Sequence, residues 1–340
     1  MQHCYFRQVK SLLLWAKAVT GLMFLTASGF AQAEWHRYSD TAMTTPIHLE
    51  FWAEDQAKAD NIAESVLAVF HHVDRTMSRY RADSELSKVN REAANRAVQV
   101  SADLFNVLQK AKQVSELSGG AFDISFGSVG FLYDYRARQQ PSADHIASEL
   151  GHINYRDIIL DEKDRTVQFR QNGLKLDLGG IAKGYAVDLG IAELKRAGVR
   201  HAQLSAGGDM RLLGDRRGRP WVVGVRDPRS EDRNAVVLPM TDTAISTSGD
   251  YERYFVNDAG ERVHHILAPS TGKPVRGVQS VTILGTDALT TDGLSTAVFV
   301  LGPEQGLAMV NRLPGIDAII IDEERRMHYS EGLQPPEPDQ

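Results

Sequence analysis

The sequence predicts an α+β fold, organised as one compact catalytic unit with two lobes. Two textures and one absence carry that prediction. Long amphipathic helical stripes occupy the first half of the chain, whereas from Leu174 onward short β-rich runs are separated by Gly, Asp and Pro. No internal repeat and no long linker interrupts the chain, so both textures serve one folding unit.

The elements follow in order. Arg7, Lys10 and Lys17 form a basic start, Ala18 to Phe30 is mostly apolar, and Ala31-Gln32-Ala33 makes an A-x-A cleavage signal before Glu34. Residues 1–33 therefore read as a secretory signal peptide, since about 14 apolar residues fall short of the ~20 needed to span a bilayer. A strand is expected over 45–52. Ile62, Val66, Val69, Phe70, Val73 and Met77 then fall on one helical face. Ser101 is placed to cap a second helix whose stripe is Leu104, Val107, Leu108, Ala111, Val114 and Leu117, with Gly119-Gly120 closing it. His71 and His72 read as surface or core-edge side chains, because no second pair lies at metal-ligand spacing nearby.

Further strands are expected over 174–178, 202–205, 221–226, 236–240, 280–284 and 318–321, and helices over 183–197, 292–301 and 304–313. The catalytic domain spans 34–330 and a disordered tail 331–340, Pro- and Glu-rich from Gln334.

Composition bounds the function. Of 340 residues, 42% are hydrophobic and 24% charged, which excludes a disordered chain, a collagen and a polytopic membrane protein. With 38 basic against 44 acidic side chains the net charge is −6, and loss of Arg7, Lys10 and Lys17 with the signal would take it to −9. Nucleic acid and anionic lipid thus find no electrostatic footprint. The single cysteine, Cys4, lies in the signal and follows no lipobox, so the mature chain has no thiol chemistry and no lipid attachment site is expected.

Several clusters could carry chemistry. The segment DLGGIAKGYAVD (177–188) sets a carboxylate, two glycines and Lys183 between an extended run and a helix, where free N–H groups attract phosphate; a plain strand-to-helix turn reads equally well. Gly207-Gly208 before Asp209 is either a close-approach loop or a hairpin turn, and TSGDY (247–251) either binds phosphate or caps a turn. His264-His265 precede a turn forced by Pro269, where an imidazole can act as a base near neutral pH. Asp292 and Thr296, four residues apart, share a helical face; such hard oxygen donors suit Mg²⁺, unless they only cap the helix start.

Taken in order, the wording of these blocks resembles the ApbE-like FAD:protein FMN transferase family. The matching stretches are MSRYRADSELSKVN (77–90), GGAFDIS (119–125), DLGGIAKGYAVD (177–188), AGGDMRLLG (206–214), TSGDYERYF (247–255), HILAPSTGKP (265–274) and DGLSTAVFVLG (292–302), which together run over nearly all of the mature chain. The resemblance implies a T-fold-related architecture with mixed or antiparallel sheets and flanking helices. It implies an exported, periplasmic enzyme that takes FAD as substrate with Mg²⁺, joins FMN through its phosphate to a Ser or Thr of a client flavoprotein, and releases AMP. The client would belong to a membrane-associated electron-transfer complex.

By position in those motifs, the FAD pocket would use Met43, Tyr80, Ala121, Phe122, Asp123, Asp177, Lys183, Asp209 and Ile266. Asp292, Thr296 and a backbone carbonyl near Gly180 would hold the metal, with Ser295 nearby, and His265 would be the base. Two positions depart from the family pattern: Ala268 stands where Asp is usual before the Pro, and Thr44 where Gly follows the Met. Two other functions use the same pocket, an FAD pyrophosphatase making FMN and AMP, and a non-catalytic exported FAD carrier.

Overall fold

The first described element is a hairpin, β1 (Glu34–Ala42) and β2 (Thr45–Ala53), paired antiparallel from Glu34↔Ala53 to Ala42↔Thr45. The computed structural model describes residues 33–334. Residues 1–32 of the expected signal, with Cys4, and residues 335–340 of the expected tail lie outside the described residues. A two-residue turn joins the hairpin, and both Met43 (φ 53°) and Thr44 (φ 59°) are left-handed, as a tight turn matching strand twist requires. β2 falls where its alternation predicts; β1 was not expected. It is an edge strand in which only His36 and Ala42 are buried, so it has little apolar alternation to read.

Helix α1 (Gln56–Met77) starts at Asp55, whose side chain accepts from the Lys58 N–H, and buries Ile62, Val66, Phe70 and Val73. Helix α2 (Ala102–Leu117) is capped by Ser101 as expected, and it closes with the Gly120 N–H donating to the Ser115 carbonyl. Helix α3 (Ala182–Arg196) leads into β3 (Ala202–Ala206), β4 (Asp209–Leu213), β5 (Ala244–Gly249) and β6 (Val278–Gly285). Helix α4 (Ala288–Val310) precedes β7 (Asp317–Asp322) and β8 (Met327–Tyr329).

These eight strands form one sheet in chain order, β1 through β8, with every neighbour antiparallel. Of the two sheet types expected, only antiparallel pairing occurs among the described residues. Helices α1, α3 and α4 cover one face, with α2 packed on α4, and bury Phe51, Phe70, Leu204, Val281 and Phe299 in the main core. On the other face the hairpin Trp221–Asp227 with Ser230–Met240 supplies Trp221 and Val223 to a cluster with Leu212, Ile245 and Leu284. A separate small core of Val129, Tyr133, Ile146, Phe255, Val263 and Leu267 makes the second lobe.

Several boundaries differ from expectation. Residues 174–178 form no strand: the Asn90 side chain brackets Leu176, donating to its carbonyl and accepting from its N–H, so a side chain takes the place of a partner strand. The two helices expected over 292–301 and 304–313 are the two segments of α4, parted at Gly302 (φ 77°) before Pro303, and the first begins earlier, at Ala288. Glu331–Leu333, placed in the expected disordered tail, forms a 3₁₀ turn, with Leu333 packed against the Trp221 cluster.

Candidate active site

A cavity of about 370 Å³ opens where the ends of β4 and β5, the start of α3, the first turns of α4 and the loop after His264 meet. Every residue assigned to the site from sequence lines it: Met43, Tyr80, Ala121, Phe122, Asp123, Asp177, Gly180, Lys183, Asp209, His265, Ile266, Asp292 and Thr296. Ser295 is not among the lining residues; its hydroxyl donates to the Asp292 carbonyl and bonds the Ser248 hydroxyl at 2.8 Å, supporting the wall from behind.

The floor is a charged cluster. Lys183 Nζ lies 2.6 Å from Asp209 and 3.5 Å from Asp292, and both carboxylates are buried. Burial raises the Asp292 pKa, and the charge of Asp209 raises it further; Lys183 and the Gly184 N–H oppose that. Burial disfavours the charged form of Lys183, yet the two carboxylates outweigh it and hold the ammonium protonated. Two buried acids thus share one cation.

A divalent ion fits that imbalance. Thr296 Oγ1 stands beside Gly180, at 3.0 Å from where a Cβ on that glycine would sit, and both line the same cavity as Asp292. Among the described residues no group of three or more His, Cys, Asp or Glu forms a metal site. Mg²⁺, which needs only one or two carboxylates beside substrate phosphates, suits such a sparse donor set.

Asp177 and Tyr80 are joined by a residue the sequence reading left out. Arg79 donates through Nε to Asp177 at 2.9 Å, and its guanidinium lies 4.4 Å from the centroids of both Tyr80 and Phe131. Tyr80 keeps 66% of its surface exposed, so the ring is available to stack on a planar ligand. Asp123 lines the cavity, but its carboxylate accepts from the Ser125 N–H and hydroxyl and from the Tyr155 N–H, tying the GGAFD loop to the segment at Tyr155 in the main core.

The two adjacent histidines divide cleanly. His264 donates through Nε2 to the Val275 carbonyl at 2.7 Å and accepts at Nδ1 from the Ile266 N–H, an assignment that follows from its partners. His265 instead lines the cavity, with Nδ1 buried and unpartnered. Burial, with the nearby positive charge of Arg253, pushes its pKa down to about 3, so the imidazole is neutral.

Arg253 is the second missed residue. It lines the cavity from the TSGDYERYF block, its carbonyl accepts from the His265 N–H at 3.1 Å, and its guanidinium donates to the Thr44 hydroxyl. No periodicity distinguishes Arg79 or Arg253 from any surface arginine; only their place inside matching blocks could have drawn notice.

An antiparallel sheet backed by helices carries a cavity that joins buried acids, a lysine and a neutral histidine, the fold and polar site of an α+β enzyme. The family model described as "ApbE family" matches residues 43–320, and the chain belongs to that family. Among its relatives, an FAD:protein FMN transferase of Klebsiella pneumoniae is 33% identical over 85% of this chain and 90% of its own length. One of the same name from Vibrio cholerae is 30% identical over 94% and 98%. Solved structures agree: the ApbE protein of Thermotoga maritima superposes with a TM-score of 0.81 at 36% identity, covering 88% of this chain and 98% of its own. The flavin transferase ApbE of Vibrio cholerae gives 0.79 at 28%, with the same coverage.

Proposed function

We infer that this chain is an FAD:protein FMN transferase, moving FMN from FAD to the hydroxyl of a Ser or Thr in an exported client flavoprotein. The observation that carries the reading is the placement of His265, neutral and free at Nδ1, on the wall of the cavity whose floor is Lys183, Asp209 and Asp292.

The residues divide the work. Tyr80, braced by Arg79, offers a face to one of the flat rings of FAD. Asp292, Thr296 and the carbonyl at Gly180 would hold Mg²⁺, which when bound supplies positive charge to the diphosphate oxygens. His265 takes the proton of the acceptor hydroxyl as its oxygen bonds to the FMN phosphorus; the bond from that phosphorus to the AMP oxygen breaks, and AMP leaves. Burial and the charge of Arg253, which lower the His265 pKa to about 3, make it a weak base in the protein alone. A diphosphate beside Arg253 and Lys183 opposes the part of that depression that comes from nearby positive charge.

The signal reading of residues 1–33 supports export to the periplasm, and membrane-associated electron-transfer proteins are the client class. The test is to incubate the mature protein with FAD, Mg²⁺ and a flavin-accepting domain, and to weigh that domain afterwards. A mass gain equal to FMN, matched by AMP and abolished by chelator, supports the transferase. Equal FMN release without a client would make the protein a pyrophosphatase, and bound, unconverted FAD would make it a carrier; either result overturns the reading.

A further inference from the structure

The turn between β1 and β2 is an unusual place for a threonine. Thr44 sits at φ 59°, in the left-handed region where a β-branched side chain crowds its own backbone and where Gly or Asn is the usual choice. Backbone in such a conformation persists when surrounding contacts hold it, and these concentrate at ligand sites. Here the contact is specific. Thr44 Oγ1 accepts a hydrogen bond from the guanidinium of Arg253, which lies 209 residues away in sequence.

Arg253 is also placed unlike Arg79. Arg79, the other arginine that lines the cavity, is neutralised by Asp177. Arg253 forms no ion pair among the described residues; its side-chain partner is the neutral Thr44 hydroxyl. The guanidinium therefore stands at the cavity wall with its charge uncompensated. It is close enough to both Lys183 and His265 for its charge to oppose protonation of each. Three cationic or potentially cationic groups converge on one volume, while the acids of the floor are already engaged with Lys183. The missing counter-charge is an anion with several acceptor oxygens, and the planar fork of Arg matches a phosphate edge.

We propose that Arg253 binds the diphosphate of the flavin dinucleotide, and that Thr44 is the positioning residue that holds its guanidinium at the cavity wall. The proposal rests on the transferase reading for the ligand, and the geometry adds which side chain meets its phosphates. The hydroxyl of Thr44 fixes the fork where a glycine at the same turn would leave it to swing. His265 faces Arg253 across the end of the hairpin Tyr254–His264, its N–H bonded to the Arg253 carbonyl, so the group that meets the phosphates and the group that takes the proton are tied together.

The test compares FAD with riboflavin, which keeps the isoalloxazine ring but lacks the diphosphate and the adenosine, by quenching of flavin fluorescence on the mature protein with Mg²⁺. Arg253→Met should weaken FAD binding by about 10- to 100-fold, the range for losing charge-assisted hydrogen bonds. Riboflavin binding should stay within about twofold of the parent, and Arg253→Lys should recover part of the loss. Thr44→Gly, which suits the turn and removes the hydroxyl, should weaken FAD by roughly three- to tenfold in the parent and have no effect in the Arg253→Met background.

Unchanged FAD affinity in Arg253→Met, or equal loss of FAD and riboflavin, would overturn the role of Arg253. Parental FAD affinity in Thr44→Gly would overturn the positioning role. A parent protein that binds neither FAD nor riboflavin would instead overturn the transferase reading, which keeps the two failures apart.

Discussion

The Gly184 N–H donates to Asp292 Oδ2 at 2.9 Å, across the crossing of α3 and α4. The approach is possible because residue 184 has no side chain: a Cβ there would lie 2.1 Å from the Ala288 carbonyl oxygen. One bond thereby sets both the spacing of two core helices and the aim of a carboxylate in the cavity.

Gly184→Ala should therefore act twice. Forcing the helices apart costs about 1–3 kcal/mol or more, read as a lower urea midpoint. The displaced Asp292 should also lose activity beyond what the stability change explains, measured at a temperature where the variant is fully folded.

Asp292→Asn removes one of two buried acids that share Lys183. Mg²⁺ should raise the melting temperature of the parent protein, since binding to the native state alone stabilises it. The variant should show a much smaller shift. An equal shift in both proteins would move the metal elsewhere.

His265 gives a prediction with a definite pH direction. Its folded pKa of about 3 lies below the ordinary 6.5, so the unfolded chain binds the extra proton first. Stability held with His265 neutral is present above about pH 6.5 and is lost as pH falls toward 3. His265→Gln should flatten that part of the stability–pH curve, measured by denaturant melts, while lowering flavin transfer by about 100-fold or more.

Arg79→Met should weaken FAD binding by about tenfold, because it removes the counter-charge of Asp177 and the support of Tyr80 together. Arg79→Lys keeps the first function and loses much of the second. A KM for FAD that is restored by Lys would show that the ion pair dominates; one that stays high would show that the stacked guanidinium does.

Asp123→Ala leaves the Ser125 and Tyr155 N–H groups without their acceptor in a buried loop. A loss of about 2–3 kcal/mol is expected for stranding buried donors, read by thermal or urea unfolding.

The sequence was informative wherever chemistry and periodicity were local. The stripe from Ile62 to Met77, the cap at Ser101 and the paired oxygens of Asp292 and Thr296 depend on neighbours a turn away, and they lie where the spacing puts them. Contacts across long distances were not legible. Nothing near Leu176 announces that Asn90 will stand in for a strand, and nothing near Thr44 announces Arg253. β1 escaped notice because an edge strand with one face toward solvent carries few apolar residues. The choice between His264 and His265 came from the family resemblance; the structure supplies its physical ground, a filled hydrogen-bonding set on one ring and an empty nitrogen on the other.

The main sheet runs from β1 to β8 in chain order, yet the cavity takes Met43 from its first turn and Asp292 from the helix before its last two strands. A chain emerging from its N-terminus can lay down strand after strand and still have no complete binding site. The full set of cavity residues thus exists only once α4 has been added. A fragment truncated ahead of α4 would keep Met43, Tyr80, Asp177, Lys183 and Asp209 but lack Asp292 and Thr296, so the pair of oxygen donors that suits a divalent cation is withheld from unfinished or clipped molecules.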